Sequence, residues 1–533
     1  MINPNISPEE IFQRREEFGV ENSFKFLSEI LDNEQDFNKR KGAIKYLSLV
    51  SKDASYLKKD CFNTLENILI SEDGIEIKCE AAKGLGKLRY SEVLKPLRWL
   101  LEQGIEDVDL KKTILKAIYK TNFEIPEIKL FINELDSKYN TIREYVKNQL
   151  ITVKPEILVN SLIDFLNKEN ISNSHKSEII KLIGYELKSI NLTFGDLSYI
   201  EIKYPEIVAT LKINRRKILN EITRILKEED QELISSVLTI LKLLGPEVNR
   251  EIINFLMNDD FIIKKNAITL AGKLHVSDAV DLLVQNLDNI YNEVSIAAIE
   301  ALGEIGDLSA VPELLSILNI EDVSFEYTDL DMKLYIMDAI KKIYLANSNA
   351  SYDYLFSYLN SGNDTIKESI AFLLGEIGSL EFVNPISALL KTRNVDIKKN
   401  AIIALGKIGS LDSLNHLLTI LTNQDSYWLL KKVAADAIYN IYQRNWYKTK
   451  DHDESSKRSL NKDVNVLIEY LKKSEDENFK VKIALIKFLE DYGGKNALGA
   501  LLTRVNDFHR VVRIHASNAI KKIEEQLELE NQN

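Results

Sequence analysis

The chain is poor in the residues that build clamps, turns and catalytic signatures. Its 533 residues include 2 cysteines, 9 prolines and 20 glycines. Cys61 and Cys79 cannot make a disulfide framework, and neither begins a Cys-x-x-Cys or a Cys/His cluster, so a reducing compartment is expected. Turn residues are too few for an all-β protein of this size. No run approaches the roughly 18 apolar residues of a membrane span. Met1-Ile-Asn-Pro-Asn5 has neither a basic nor an apolar leader segment, so a soluble, cytoplasmic protein is expected. Phosphate-loop, dinucleotide-binding, nucleophile-elbow and HExxH signatures are missing. Net basic charge is missing too. At a formal −12 the chain is not expected to bind nucleic acid, which selects basic stripes.

What the chain has is apolar residues, at 45% of the total, and self-similarity. Asn400-Ala-Ile-Ile-Ala-Leu-Gly-Lys-Ile-Gly409 is echoed by Ala298-Ile-Glu-Ala-Leu-Gly-Glu-Ile-Gly306 and by Ile370-Ala-Phe-Leu-Leu-Gly-Glu-Ile-Gly378. Ala267-Ile-Thr-Leu-Ala-Gly-Lys-Leu274 and Ala81-Ala-Lys-Gly-Leu-Gly-Lys-Leu88 are looser copies. After each comes a short turn and an apolar helix, such as Ala310-Val-Pro-Glu-Leu-Leu-Ser-Ile-Leu318. Each unit therefore reads as helix, turn, helix, polar loop, with apolar residues at three- and four-residue spacing. Small residues inside the second helix let the neighbouring repeat approach closely, since glycine within a helix otherwise costs about 1 kcal/mol against alanine. The later glycines, Gly306, Gly378 and Gly409, stand where a helix ends in a left-handed residue.

A basic residue lies eight positions before the inner glycine: Lys78, Lys264, Lys367 and Lys398. The same register carries Arg40, Lys111, Arg143, Lys176, Lys333, Lys431, Lys482 and Arg513, with Ile234 and Ser295 as exceptions. Most intervals run about 30–38 residues, so roughly fourteen units are expected. The fold class is then all-α, an α-α superhelix of helical hairpins.

These motifs resemble HEAT repeats, and specifically the short-period HEAT-like repeats named after the phycobilisome lyases. The resemblance implies a HEAT-like α-solenoid over nearly the whole chain. Its functional implications are broad, because such repeats serve lyases, hydroxylases, adaptors and sensors. Hydroxylases of this kind hold iron through His-Glu dipeptides. Here the six histidines are followed by Lys, Val, Leu, Asp, Arg and Ala, so no metal and no cofactor are expected.

The repeats are expected in three blocks: 1–187, 215–443 and 464–523. Residues 188–214 alternate more like strand or loop, 444–463 form a polar insertion, and 524–533 a polar tail that frays. The acidic stretch Glu321–Asp331 lacks the spacing of a calcium loop and reads as a linker. Trp99 sits in an apolar helix and is expected in the core, whereas Trp428 and Trp446 are expected at the surface, as interface anchors.

The basic ladder has two readings. A stripe through Lys367, Lys398 and Lys431 would meet an acidic or phosphorylated partner. Alternatively, Asp260, Asp364, Asp396 and Asp476 ahead of the ladder could cap the helix or bridge to it. The expected function is a noncatalytic protein-binding scaffold, adaptor or sensor that holds its partner on the concave, second-helix face. The alternative is a phycobilin-lyase-like or chaperone-like protein acting on a chromophore or modified protein.

Overall fold

A computed structural model of the chain describes residues 6–532 except 53, 72, 89, 169, 195–197, 319–328 and 451–453; side chains at 191–198, 319–331, 361, 446–460 and 530–533 also fall outside the description. Among the described residues every regular element is helical and no strand occurs. Fourteen helices among the described residues carry a ladder position, each preceded by at least one shorter or partner helix. Numbering only the second helix of each hairpin, α1 is Phe37–Lys52, α2 Ile75–Leu88, α3 Val108–Thr121, α4 Asn140–Leu150 and α5 Asn173–Phe194. Next come α6 Gln231–Leu244, α7 Phe261–Lys273, α8 Asn292–Ile305, α9 Asp329–Ala346 and α10 Asp364–Ile377. The last are α11 Val395–Ile408, α12 Trp428–Lys450, α13 Phe479–Tyr492 and α14 Arg510–Gln532. The chain forms two compact units, Met1–Leu270 and Ala271–Asn533. Each is a stack of hairpins, so the fold is an α-solenoid.

Polar residues start the helices and glycines stop them. Asp107 accepts from the Leu110 N–H at 2.8 Å, Asn363 from Ile366 at 2.8 Å and Asn394 from Asp396 at 2.8 Å. Asp260 caps α7 through the Ile262 N–H, but in α10 and α11 the cap is the asparagine before the expected aspartate. Gly306, Gly378 and Gly409 end their helices at φ 78°, 78° and 76°, the left-handed region that favours glycine.

The inner glycines explain the stacking. A Cβ built on Gly86 would stand 2.8 Å from the Ala117 Cα on the next second helix. The same contact recurs from Gly272 to Ala301 at 2.7 Å, Gly303 to Ala339 at 2.8 Å, Gly375 to Ala404 at 2.7 Å and Gly406 to Ala437 at 2.8 Å. Each alanine lies two positions before the glycine site of its own helix. One small residue therefore receives the preceding repeat and the other admits the following one, with dispersion contact along both backbones.

Several sequence expectations are corrected. Residues 188–194 continue α5, and Ser198–Lys203 and Pro205–Ile213 are helices rather than strand or loop. Ile200, Ile207, Val208 and Leu211 bury at helical spacing there, so tertiary packing overrides the β-branched alternation. Through Gly184, whose Cβ would lie 2.5 Å from the Ser236 Cα, α5 packs directly on α6. In the 444–463 segment α12 runs to Lys450 and a further helix covers Glu454–Lys473, while 451–453 lie outside the described residues. The tail continues α14 to Gln532. Trp99 is 50% exposed, because Leu94, Leu97 and Leu101 carry the buried stripe and place it opposite. Most of the acidic stretch, 319–328, lies outside the described residues.

Candidate interaction surface

Five ladder residues join their hairpin to the next. Arg40 donates through Nη1 and Nη2 to the two carboxylate oxygens of Asp73 at 2.9 and 3.2 Å. Lys111 meets Glu134 at 3.0 Å, Lys176 meets Glu221 at 2.6 Å, Lys431 meets Glu477 at 2.8 Å and Lys482 meets Asp507 at 2.9 Å. Each acid belongs to the following hairpin. Arg143 and Arg513 donate instead to the Ser137 and Asp507 carbonyls, at 2.6 and 2.8 Å. Burial pushes the carboxyls of Asp73, Glu477 and Asp507 up. Hydrogen bonds to the facing cations, and for Asp507 to the His509 N–H, outweigh it and hold all three below the usual range.

The five candidate residues therefore separate. Lys431 is buried, at 6% exposure, and committed to Glu477, so it does not project as a stripe would require. Lys367 and Lys398 are half-buried and make no side-chain ion pair or hydrogen bond among the described residues. Trp428 is half-buried under the Lys480 ammonium, 5.2 Å from its ring centre. Tyr427 beside it is exposed. The Trp446 side chain lies outside the described residues.

Outward of the ladder, the second helices of the C-terminal unit are laced by charges of alternating sign. Glu304 on α8 takes Lys342 of α9 at 3.4 Å. Glu376 on α10 takes Lys341 of α9 at 3.0 Å and Lys407 of α11 on its other oxygen. Lys407 also lies 4.7 Å from the Phe372 ring centre. Glu304, Glu376 and Lys407 all follow the inner glycine, so the variable position of the Leu-Gly-x-Ile motif is a contact between repeats. Further along, Tyr439 donates to Asp491 at 2.8 Å, and Lys522 bridges Glu490 and Asp491 at 3.0 and 2.8 Å, around a 530 Å³ recess.

The N-terminal unit differs, in a way the ladder reading missed. Lys45, Lys83 and Lys116 stand five residues past Arg40, Lys78 and Lys111, and Lys87 and Lys120 stand nine past the latter two. All are exposed except Lys87, which is half-buried. Their recurrence at a fixed offset from the ladder is the sequence signal that could have found them. Beyond them a 750 Å³ groove runs between the ends of α3 and α4, lined by Tyr119, Phe123, Ile125, Thr152 and Ile157.

Among the described residues no group of three or more His, Cys, Asp or Glu could hold a metal, and no helix is long and apolar enough to cross a membrane. Burial pushes the Cys61 thiol up to about 12, where it is inert as a nucleophile.

The HEAT repeats family model matches residues 249–325 and 352–438. A search of the curated proteins finds no match. Among solved structures, importin beta in a polyethylene glycol condition aligns at TM-score 0.45 and 10% identity, over 98% of this chain and 78% of that one. Kap121p bound to Ste12p aligns at TM-score 0.44 and 14% identity, over 97% of this chain and 57% of that one, so this chain spans little more than half of it. The Kap95:Nup1 complex aligns at TM-score 0.33 and 12% identity, over 97% and 74%. The chain thus contains HEAT repeats, identified over residues 249–325 and 352–438.

Proposed function

We propose that this protein is a noncatalytic interaction scaffold, adaptor or sensor subunit that holds a protein partner along its second helices. The observation that supports this most is the recurring glycine-on-alanine contact between successive second helices. It sets neighbouring helices in one register, so an outward position on one helix recurs beside its equivalent on the next. A partner chain then meets a periodic, extended surface, the property for which stacked repeats are suited. Within this reading Lys367 and Lys398 are cations available to an acidic group and Trp428 is a nearby anchor, while Lys431 holds the hairpins together. The proposed setting is the cytoplasm.

The test is purification of the tagged full chain from its native host after mild crosslinking. A stoichiometric protein should accompany it. Lys367→Glu combined with Lys398→Glu should release that protein while the thermal midpoint stays within about 2 °C. A chain that repeatedly returns alone overturns the reading. A visible tetrapyrrole band in the same preparation would turn it toward the lyase-like alternative.

A further inference from the structure

The N-terminal unit gathers lysines on one face of a chain whose net charge is −12, and four of the five have no ion pair among the described residues. Lys45 on α1, Lys83 and Lys87 on α2, and Lys116 and Lys120 on α3 occupy two equivalent outward positions on three consecutive second helices. Lys87, Lys116 and Lys120 make no ion pair among the described residues, and Lys45 reaches only the Tyr46 hydroxyl at 3.4 Å. The acids nearby are committed. Glu80 holds Lys83 at 3.1 Å, and Glu76 holds Lys41 at 2.8 Å. Beyond α3 the cluster ends, because Lys147 and Lys181 both close on Glu178.

The Lys87 ammonium senses three of its neighbours. Lys87 sits below the ordinary lysine range, first from burial and then from the charges of Lys45, Lys120 and Lys83, against which Glu80 alone pulls upward. Neighbouring helices lie roughly 8–10 Å apart, so the four lysines without an ion pair raise a positive potential on this face, offset by Glu80 at Lys83 and Lys87.

An aromatic chain connects this cluster to the groove. The Lys116 ammonium lies 6.0 Å from the Tyr145 ring centre, and Tyr145 meets Phe131 at 6.3 Å. Phe131 meets Phe123 at 4.7 Å, and Phe123 meets Tyr119 at 4.9 Å. Tyr119 and Phe123 are walls of the groove, with Ile125 exposed on its rim. Basic side chains thus run alongside an open, largely apolar slot whose charged lining residues are one of each sign, Glu124 and Lys154.

Resting on the scaffold reading, we propose that the lysine cluster of α1 to α3 is the docking site for an acidic segment of a partner protein, with an apolar side chain of that segment seated in the groove between α3 and α4. Complementary charge selects the occupant, and the slot selects a peptide over a polyanion. A duplex would offer phosphates to the lysines but keeps its bases stacked away from the groove, and the flanking charge of any nucleic acid would be repelled by the acidic remainder of the chain.

The experiment uses the full chain and a fluorescein-labelled peptide of glutamates around a central Phe-Leu pair. Binding is read by anisotropy at low and moderate salt. The peptide should bind, weaken with salt, and lose at least about tenfold in affinity in a Lys45→Glu, Lys116→Glu, Lys120→Glu variant. Replacing its Phe-Leu pair by Ser-Ser should weaken it as well. Reversing Lys25, Lys59 and Lys95, which are exposed on first helices, should change affinity less than about twofold. A Lys45→Gln, Lys116→Gln, Lys120→Gln variant, which adds no new charge, should show an intermediate loss and keeps the test valid if the reversed chain is unstable. Equal binding of a peptide with Gln in place of Glu, or tighter binding of oligothymidylate or of phosphatidylserine vesicles, overturns the proposal. If the native-host partner stays stoichiometric on the reversed chain, this site is wrong and the scaffold reading stands. If no partner is found from the host but the peptide binds as described, the scaffold reading fails and the site remains.

Discussion

The outward rows of the two units rest on the same kind of glycine-on-alanine contact and are filled in opposite ways. In the N-terminal unit Lys45, Lys87, Lys116 and Lys120 make no ion pair among the described residues, and of the row only Lys83 is held by an acid, Glu80. In the C-terminal unit Glu304, Lys342, Lys341, Glu376 and Lys407 alternate and neutralise one another. The backbone contact beneath does not distinguish them: Gly86 meets Ala117 as Gly375 meets Ala404. At these contacts stacking is set by a glycine on one helix and an alanine on the next, and the outward positions differ without disturbing it. One row knits its own repeats together, whereas the other holds its charge in reserve for something outside the fold.

The largest effect should come from the ladder. In the C-terminal unit Lys482 and Asp507 are 6% and 3% exposed along their side chains, with Arg504 also on Asp507 at 3.4 Å. Asp507→Ala strands two buried cations and should cost about 3–5 kcal/mol. Asp73→Ala leaves Arg40, already 26% exposed, to water and should cost about 1 kcal/mol. Repeat arrays open locally, so hydrogen exchange in α13–α14 and α1–α2 is the measurement. Equal losses would sink the distinction. The sign with pH also follows. The folded carboxyl of Asp507 lies below its unfolded value of about 3.9, so its stabilisation is full above that pH and is lost as pH falls through the folded value.

Next in size are the inner glycines, where the two units should agree. Gly86→Ala and Gly375→Ala each place a methyl against backbone at 2.8 and 2.7 Å. Each should destabilise by about 1–3 kcal/mol despite the gain of about 1 kcal/mol in helix propensity. Gly499→Ala, in a helix with nothing within 4 Å, should instead stabilise by about 0.5–1 kcal/mol. Denaturant melts of the three variants check this. Opposite signs at Gly86 and Gly375 would mean that the units do not share a stacking rule.

The stack was legible where a helix admits its neighbour's backbone through a glycine, as at Gly86, Gly272, Gly303, Gly375 and Gly406, because those glycines recur in one register. The ladder was legible as a spacing, but its role was not, because Lys367 and Lys431 look alike until burial separates them. The helices at 198–213 were hidden by β-branched residues whose strand preference is weaker than the packing of Ile207 and Leu211. The lysine cluster was hidden by averaging. A net charge of −12 conceals five lysines on one face, since potential depends on which neighbours the fold brings together.

A smaller effect tests the alternating row itself. Glu376→Gln removes the negative charge that Lys341 and Lys407 share. With Glu376 26% exposed, the loss should be about 0.5–1 kcal/mol at low salt and should shrink as salt rises. Lys116→Gln in the N-terminal row should stay within about 0.5 kcal/mol and, if it shifts stability, raise it. A destabilised Lys116→Gln would show that the basic row is knitted after all.

The finest test reads the N-terminal row without a partner. Lys87 titrates below an ordinary lysine, first because it is half-buried and then because Lys45, Lys120 and Lys83 surround it. Holding charge there opposes folding at neutral pH. Stability should therefore rise slightly as pH climbs through the folded value of Lys87, until it reaches the unfolded value. Lys120→Gln removes one of those charges and should move the Lys87 titration upward, followed by NMR of its side chain. Lys129→Gln, outside the cluster, should leave it in place. Adding the acidic peptide should move it upward further, because a carboxylate brought to the face favours the charged form. If Lys120→Gln leaves the titration where it was, the lysines do not share a field, and what separates the two rows is composition alone.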